Sequence, residues 1–495
     1  MSPRHTYDAV VVGSGPNGLA AAIEFAHTGR SVLVLEAQPT IGGGARSAEL
    51  TLPGFTHDIC SAVYPMAAGT PFFPSLPLDR HGLRWIEPPA AMAHPFDDGP
   101  PAMLDRSIEL SSATLGSDAH AYARLLRPFV ERWNALAEDA IAPLHLPRHP
   151  LLMAQFGVEA LRSASSLARG RFREERARGF FGGLATHSIM PLTRTATASI
   201  GLVLGAVGHR VGWPIPKGGA QRITDALASY LRSLGGEIVC EQPVASLRDI
   251  PDAETIMLDV SPRGALAIAG DRFSSSYRSA LERFTVGAGV CKVDWALSGP
   301  VPWRDPECAT AGTLHLGGTL DELIASEAAP WRGEHAERPF VLAAQPSLFD
   351  ATRAPAGKHV LWGYCHVPNG SDLDVSERIE AQIERFAPGF RDCILARCVT
   401  RASELERRNA NLSGGDIIGG ANTLRQLFFR PVVSPHPYET SIEGVYLCSA
   451  STPPGGGVHG LCGMYAARAA IARLRSRHQP GANSPSSASA GMENA

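Results

Sequence analysis

The segment that most constrains the fold lies at the amino terminus, where a buried strand runs directly into a glycine-rich turn. Residues 7–12 are apolar and largely β-branched, as in a parallel strand that is covered on both faces. The turn Gly-Ser-Gly-Pro-Asn-Gly follows at 13–18, then an alanine-rich helix over 19–28 and a second apolar strand over 31–35 that ends at Glu36. This order and these lengths predict a βαβ unit of the dinucleotide-binding type.

The three glycines of this turn have separate tasks in a nucleotide site. Among Gly13, Gly15 and Gly18, one permits the tight turn, one lets the backbone approach a diphosphate, and one lets the helix pack close to the strand. The free N–H groups at the start of the helix attract the diphosphate. Glu36 is suited to accept hydrogen bonds from both ribose hydroxyls of an adenosine, and its charge disfavours the 2′-phosphate of NADP.

Two further glycine-rich segments favour FAD over NAD. The sequence Ile-Gly-Gly-Gly-Ala-Arg-Ser at 41–47 offers a second turn for backbone contact with a diphosphate, which the long FAD needs and a simple dehydrogenase does not. Near the other end, a predicted strand over 444–450 leads into a glycine loop at 455–460 and a helix whose amino terminus can point at the flavin. Such a dipole favours the negative charge that develops when flavin accepts a hydride. The alternative is an ordinary glycine-rich turn before a C-terminal helix.

With these motifs the chain resembles the phytoene desaturase and carotenoid isomerase-related flavoproteins, in particular their "phytoene dehydrogenase-like" branch. The resemblance covers most of the chain and is carried by DAVVVGSGPNGLAAA, IGGGARS, KGGAQRITDAL and GVYLCSASTPPGGGVHGLCGMYAARAA. It implies a flavin-dependent oxidoreductase in which Val244 meets the adenine through its backbone. Gly44 stands where many relatives carry arginine, and we expect Arg46 to take over that phosphate contact. Some distant flavoproteins carry an acidic residue at the end of the corresponding strand, where this chain has Ser449 and Ala450. This difference weakens the assignment of a contact to the ribitol of FAD, but not the prediction that FAD binds.

The predicted cofactor is FAD, and no metal is predicted. The nine cysteines show neither a CxxC pair nor zinc-finger spacing, which also argues against disulfide reductase chemistry. The residues expected to contact FAD are Gly13, Gly15, Pro16, Asn17, Gly18, Glu36, Ala37, Gly43, Gly44, Arg46, Ser47, Val244, Ser449, Gly457, Val458 and Gly460.

Four polar side chains are the candidates for catalysis, each with a structural alternative. His459 lies in the loop expected beside the flavin, where an imidazole can act as a base, or it caps the C-terminal helix. Lys292 and Asp294 share one face of a predicted strand, where they form either a buried pair that binds a carboxylate or carbonyl, or a solvated salt bridge. Tyr364, with His366 two residues later, is either a substrate contact or a packing residue.

The predicted fold class is α/β: a two-dinucleotide-binding-type (Rossmann-like) FAD domain with an interleaved α+β substrate domain. The predicted FAD domain is discontinuous and comprises residues 1–75, 213–285 and 440–478. The predicted substrate domain comprises the intervening residues 76–212 and 286–439. The tail 479–495 lacks apolar periodicity and is predicted to be disordered. Further elements are helices within 116–181, a helix over 221–234 and strands over 237–240, 291–297 and 359–366.

The bulk composition restricts partners and location. A formal net charge of -3 argues against a nucleic-acid partner, and no apolar run of membrane-spanning length is present. An odd number of scattered cysteines fits a reducing compartment, so a cytoplasmic location is expected. The arginine-rich stretch 155–181 is interpreted either as a peripheral membrane contact or, more commonly, as a solvated helical face.

The resulting functional prediction is dehydrogenation of an apolar or alicyclic small molecule by hydride transfer to flavin. Oxygen or a quinone is the expected acceptor, since one complete dinucleotide-binding unit leaves no separate site for NAD(P)H. The alternatives are a flavin-dependent isomerase without net redox change, an amine oxidase with an aromatic pair around the amine, and a flavin-binding interaction protein without turnover.

Overall fold

The computed structural model describes residues 7–478 of the 495-residue chain, and the predicted tail 479–495 lies outside the described residues. In chain order the strands are β1 (Tyr7–Val12), β2 (Val32–Leu35), β3 (Ser47–Glu49), β4 (Thr56–Asp58), β5 (Trp85–Ile86), β6 (Ala90–His94), β7 (Ala102–Leu104), β8 (Ile215–Pro216), β9 (Glu237–Val239), β10 (Ala253–Leu258), β11 (Gly289–Leu297), β12 (Ala311–Leu316), β13 (Val341–Ala344), β14 (His359–Val367), β15 (Ile394–Thr400) and β16 (Val445–Leu447).

The α-helices connect and cover these strands. They are α1 (Pro16–Ala26), α2 (Pro65–Gly69), α3 (Ile108–Ala113), α4 (Ala119–Glu131), α5 (Trp133–Ala140), α6 (Pro150–Ala160), α7 (Ala164–Arg171), α8 (Glu175–Ala185), α9 (Thr197–Val211), α10 (Gln221–Ser233), α11 (Pro262–Ala269), α12 (Ser275–Glu282), α13 (Leu320–Ala328), α14 (Ser376–Phe386), α15 (Ala402–Arg408), α16 (Leu424–Phe428) and α17 (Leu461–His478).

The β1 strand is the middle of a five-stranded parallel sheet with the order β16-β10-β1-β2-β9. Alternate side chains of a strand point to opposite faces. Val11 therefore packs with α1, α10 and α17 on one side, and Val10 packs with α11 and α12 on the other. Each fully buried aliphatic side chain of this kind stabilises the fold by about 1.5–3 kcal/mol. Val12 pairs with both Leu35 and Leu258, so three strands end together at one edge of the sheet.

A second, seven-stranded sheet has the order β15-β11-β14-β13-β12-β6-β7 and is antiparallel except for the β12–β6 pair. Leu342 and Trp362 on one face pack into the same core as α4, α8 and α9. Val341 and Leu361 on the opposite face pack with α14. The first of these faces borders the site described below.

The strands of the parallel sheet lie in three separate segments of the chain, as a discontinuous domain requires. β1 and β2 lie within 1–75, β9 and β10 within 213–285, and β16 within 440–478. The strands of the seven-stranded sheet lie within 76–212 and 286–439. The exact domain boundaries stay a prediction.

Several element boundaries differ from the sequence-based ones. The first helix begins at Pro16 rather than at residue 19, because proline has no N–H to leave unpaired in a first turn. β10 was not predicted, although it lies between β1 and β16; Glu254 is exposed at its start, which hides the apolar pattern of a buried strand. The predicted helices within 116–181 and over 221–234 are confirmed, as are the strands at 237–240, 291–297 and 359–366 within two residues at each end. The last predicted strand, 444–450, is shorter and spans Val445–Leu447.

Candidate active site

A cavity of about 730 Å³ lies against both large sheets and is the candidate active site. Its size is typical of small-molecule and cofactor sites. One end is formed by the turn after β1 and by the glycine loops near 43–46 and 456–458, while the other end is formed by β13, β14 and α9.

The turn after β1 brings the amino terminus of α1 to the cavity wall. Gly13 has a left-handed backbone with φ of 102°, which a larger residue adopts only with strain. A Cβ atom on Gly18 would lie 2.1 Å from the carbonyl oxygen of Gly13, so only glycine allows the helix to start this close to the strand. Asn17 is also at the wall, and its buried Oδ1 atom has no hydrogen-bond partner among residues 7–478.

Glu36 is fixed at the end of β2 by hydrogen bonds to its carboxylate. One oxygen accepts from the backbone N–H and the hydroxyl of Ser14, at 2.9 and 2.5 Å, and the other accepts from the N–H of Gln38 at 2.9 Å. The side chain is 7% exposed and borders the cavity. Because a carboxylate has about four acceptor positions, it retains capacity for the hydroxyl groups of a ligand.

Asp259 follows β10 and is a second carboxylate at this end of the cavity, which sequence reasoning missed. Its Oδ2 atom accepts the N–H of Gly18 at 2.8 Å, and its backbone carbonyl accepts from the amide of Asn411. Burial, together with the nearby Glu36 charge, raises the pKa of this carboxyl to about 7. A sequence signal did exist, because an acid after an apolar run marks the carboxyl end of a strand, but recognising it requires that β10 be assigned first.

The second glycine turn contributes backbone and one cation. The Arg46 side chain donates to the carbonyl oxygens of Gly43 and Arg408, each at 2.9 Å, and the residue is 7% exposed at the cavity wall. Arg408 and the following residues 409–412 also border the cavity, and no motif in the sequence marks this segment.

Most of the residues predicted to contact FAD lie on the cavity wall, and three do not. Ser47 instead donates its hydroxyl to Asp58 at 2.7 Å, the Gly18 N–H is used by Asp259, and Gly460 packs closely against Phe72. The residues on the wall are Gly13, Gly15, Pro16, Asn17, Glu36, Ala37, Gly43, Gly44, Arg46, Val244, Ser449, Gly457 and Val458.

These donors and acceptors fit FAD. Backbone N–H groups at a helix terminus and an arginine suit a diphosphate, and the carboxylate at the end of β2 suits a ribose. The chain matches the FAD dependent oxidoreductase (DAO) family over residues 8–269. It belongs to that family. The predicted cofactor FAD, the α/β fold class and the assignment as an oxidoreductase are thereby confirmed.

Relatives and solved structures are similar to this chain over nearly its full length. The chain is 27% identical to the mouse pyridine nucleotide-disulfide oxidoreductase domain-containing protein 2, covering 95% of this chain and 94% of that protein. It is 24% identical to a phytoene desaturase (neurosporene-forming) of Rhodobacter capsulatus, covering 92% of each. Among solved structures it is similar to an oxidoreductase from Methanosarcina mazei (TM-score 0.64, 15% identity, 95% and 100% coverage). It is also similar to putrescine oxidase bound to putrescine (TM-score 0.63, 17% identity, 96% and 100% coverage), and at these identities the likeness shows the fold alone.

The other end of the cavity is largely apolar and aromatic. Tyr364, one of the predicted catalytic residues, borders it beside Trp362, with ring centroids 5.3 Å apart and ring planes nearly perpendicular. Burial raises the pKa of the Tyr364 phenol, so the hydroxyl is neutral at ordinary pH. The remaining apolar wall consists of Tyr64, Met66, Ile189, Ile200, Val203, Leu204, Trp213 and Leu342.

Lys292 and Asp294 form a buried ion pair rather than a solvated one. Their side chains are 2% and 0% exposed, and the ammonium group also lies 5.9 Å from the centre of the Trp362 ring. Neither residue borders the cavity, and strand pairing places them beside Tyr364 and Trp362 on the same face of the seven-stranded sheet. His57 approaches Asp294 at 3.6 Å, and burial together with the Lys292 and Arg353 charges lowers its pKa to about 3.

His459 is buried and does not border the cavity. Its Nδ1 atom accepts the backbone N–H of Leu461 at 3.0 Å, at the first residue of α17. Burial lowers its pKa to about 4, so the ring is neutral. This geometry supports the helix-cap alternative, and mutation of His459 distinguishes it from the catalytic role that the sequence suggested.

The arginine-rich stretch 155–181 is largely neutralised by acidic partners. Arg162 and Arg171 both contact Glu159, and Arg178 contacts Glu175. Within residues 7–478, no helix is both long and apolar enough to cross a membrane. Peripheral membrane contact by this stretch stays a prediction.

Proposed function

We propose that this FAD-dependent oxidoreductase dehydrogenates a small, largely apolar molecule. The observation that carries the proposal is the continuity of one cavity from the glycine turns to the aromatic wall on the seven-stranded sheet. Bound FAD supplies the hydride acceptor. The chain itself has to hold the cofactor, orient a C–H bond of the substrate and keep water out.

We propose that the cofactor is held by the residues that border the first end of the cavity. Glu36 accepts ribose hydroxyls, the turn at 13–18 receives the diphosphate, and Val244 contacts the adenine. Arg46 supports this proposal because its side chain is already fixed by two backbone carbonyls, so little conformational entropy is lost on binding. Ser47 does not border the cavity. Its hydroxyl donates to Asp58 and accepts the N–H of Gln221, and it thereby holds the start of α10.

The substrate end supports an apolar rather than a charged ligand. Among the described residues that border the cavity, the carboxylates are Glu36 and Asp259, and both belong to the cofactor end. A substrate that carries a full charge would therefore lose its hydration without gaining a partner. In this arrangement Tyr364 contacts the substrate, while Lys292 and Asp294 position Trp362 from the neighbouring strand. Oxygen or a quinone stays the expected acceptor, and the cytoplasmic location stays a prediction.

Amine oxidation is the second candidate, and the perpendicular pair of Trp362 and Tyr364 is the observation in its favour. The absence of a carboxylate at the apolar end, within residues 7–478, counts against binding a protonated amine. An isomerase without net redox change uses the same cavity and differs only in its product.

The test is anaerobic mixing of the FAD-loaded protein with a panel of alicyclic ketones, alcohols, alkenes and amines. Loss of the visible absorption of flavin, with a product lighter by two hydrogen atoms, supports dehydrogenation. A product of unchanged mass without an acceptor identifies the isomerase, and loss of absorption only with amines identifies the amine oxidase. Ile200→Trp, which fills the apolar end, should abolish the reaction but not FAD binding, while Arg210→Gln, at an exposed position of α9, should change neither. A reaction that survives Ile200→Trp unchanged would place the substrate elsewhere.

A further inference from the structure

Three histidines that the proposed function does not use come together beside the apolar end of the cavity. His94 ends β6, His315 lies in the adjacent β12, and His187 lies in the turn Thr186–Ser188 after α8. His94 and His315 are fully buried, and His187 borders the cavity. A Cβ atom on Gly183 would lie 2.7 Å from Nδ1 of His94 and 3.1 Å from Nδ1 of His315, so both rings point at the same place on α8.

All three rings are neutral and are not arranged as a metal site. Burial lowers the pKa of His94 to about 4 and that of His187 to about 3, and it lowers the pKa of His315 well below its usual value. Among the described residues, no group of three or more His, Cys, Asp or Glu side chains is placed to hold a metal ion. The cluster therefore acts through hydrogen bonds.

The hydrogen-bond network assigns the tautomers. Nε2 of His187 lies 3.1 Å from Nε2 of His315, so one of the two atoms donates to the other. The Nδ1 atom of His315 is buried and has no partner within residues 7–478. A buried N–H without a partner is costlier and rarer than an unused acceptor. The proton of His315 is therefore on Nε2, where it is donated to His187.

This assignment fixes the polarity of His187 at the cavity. Since its Nε2 atom accepts, the proton of the neutral ring is on Nδ1. Within the described part of the chain, the Nδ1 atom of His187 makes no hydrogen bond. It is also not fully buried, so it is open to a ligand in the cavity. His187 thus presents an N–H donor to the cavity, in a largely apolar wall that also includes the polar side chains of Thr313, Tyr364 and Asn422.

We infer that His187 donates a hydrogen bond to an acceptor oxygen of the substrate, and that the substrate is an apolar molecule with a carbonyl-type group. The inference rests on the proposed function, because it assigns the substrate class of the same cavity. A protonated amine offers only donors and does not match this site, whereas a ketone or ester does. His315 is a positioning residue, since it acts by fixing the tautomer of His187.

The test uses three probes that share one bicyclic skeleton: 1-tetralone, which has a carbonyl oxygen, tetralin, which has none, and protonated 1-aminotetralin. Their binding to the FAD-loaded protein is measured by ligand-observed NMR titration. We expect 1-tetralone to bind about 2- to 10-fold more tightly than tetralin, as one neutral hydrogen bond allows. His187→Phe should remove this preference, His187→Gln should retain part of it through its amide N–H, and His315→Phe should reduce it. Unchanged FAD content and melting temperature show that each variant is folded.

The outcomes separate the inference from the proposed function. If tetralin and 1-tetralone bind equally, or if the preference survives in His187→Phe, the inference is refuted and the cavity remains the substrate site. If the amine binds most tightly, the substrate class is wrong and amine oxidation is favoured. If none of the probes binds, and Ile200→Trp leaves turnover of a true substrate intact, both the inference and the proposed function fail.

Discussion

Replacement of Asp259 by asparagine should remove a pH dependence from FAD binding. The carboxylate of Asp259 lies at the amino terminus of α1, where it takes the N–H of Gly18 at 2.8 Å. A diphosphate bound at the same terminus brings further negative charge to this buried site, so binding requires that the carboxyl be protonated. The asparagine side chain has nearly the same shape and keeps an oxygen for the N–H of Gly18.

The magnitude follows from the pKa of Asp259, which is about 7 in the protein without FAD. At pH 6 about nine molecules in ten carry the proton, and at pH 8 about one in ten, so the apparent Kd for FAD should rise about tenfold between these values. The two cysteines that interact electrostatically with Asp259 do not titrate in this window, because burial raises the pKa of the Cys462 thiol to about 11 and that of Cys448 well above its usual value. The His459 ring, with a pKa of about 4, is already neutral.

The assay is titration of apoprotein with FAD, followed by the quenching of flavin fluorescence at pH 6, 7 and 8. Calorimetry in two buffers of different ionisation enthalpy then counts the proton taken up at pH 8. The Asp259→Asn variant should bind FAD with the same Kd at pH 6, 7 and 8, and its binding should take up no proton. An equal Kd for the native protein at pH 6 and pH 8, or a tenfold change that persists in Asp259→Asn, would refute the reasoning.

Three other predictions test the remaining assignments. Glu36→Ala should weaken FAD binding by roughly 1–3 kcal/mol, measured by the same titration, because a charge-assisted acceptor is lost; unchanged affinity would remove Glu36 from the site. NADH and NADPH should not reduce the bound flavin at a useful rate in anaerobic stopped-flow mixing, and rapid reduction by either would reveal a second nucleotide site. His459→Ala should lower the free energy of unfolding by about 1 kcal/mol, because the cap at Leu461 is lost, and should leave flavin reduction by substrate unchanged. His459→Asn should restore part of the melting temperature. A rate loss of about a hundredfold or more in both variants would support a catalytic role instead.

Local sequence was sufficient to predict FAD and the two glycine turns that border the cavity. The turn Gly13–Gly18 and the acid Glu36 lie within one βαβ unit, so their relative positions follow from strand and helix geometry over a short length of chain. The loop before α17 was also recognisable, since glycines there precede a long helix. What local pattern could not reveal was Asp259, because its place beside Gly18 depends on β10 pairing with β1 across more than two hundred residues.

The substrate half was decided by tertiary structure alone. His94, His187 and His315 have no common spacing in the sequence, and only the pairing of β6 with β12 and the packing of α8 bring their rings together. The same holds for Lys292, whose burial beside Trp362 follows from strand pairing in the seven-stranded sheet. Sequence by itself thus determined the fold class, the cofactor and the nucleotide fingerprint, because the residues that specify them are near neighbours in the chain. The shape and polarity of the reacting end were set by contacts between distant segments, whose residue types were visible in the sequence but whose neighbours were not.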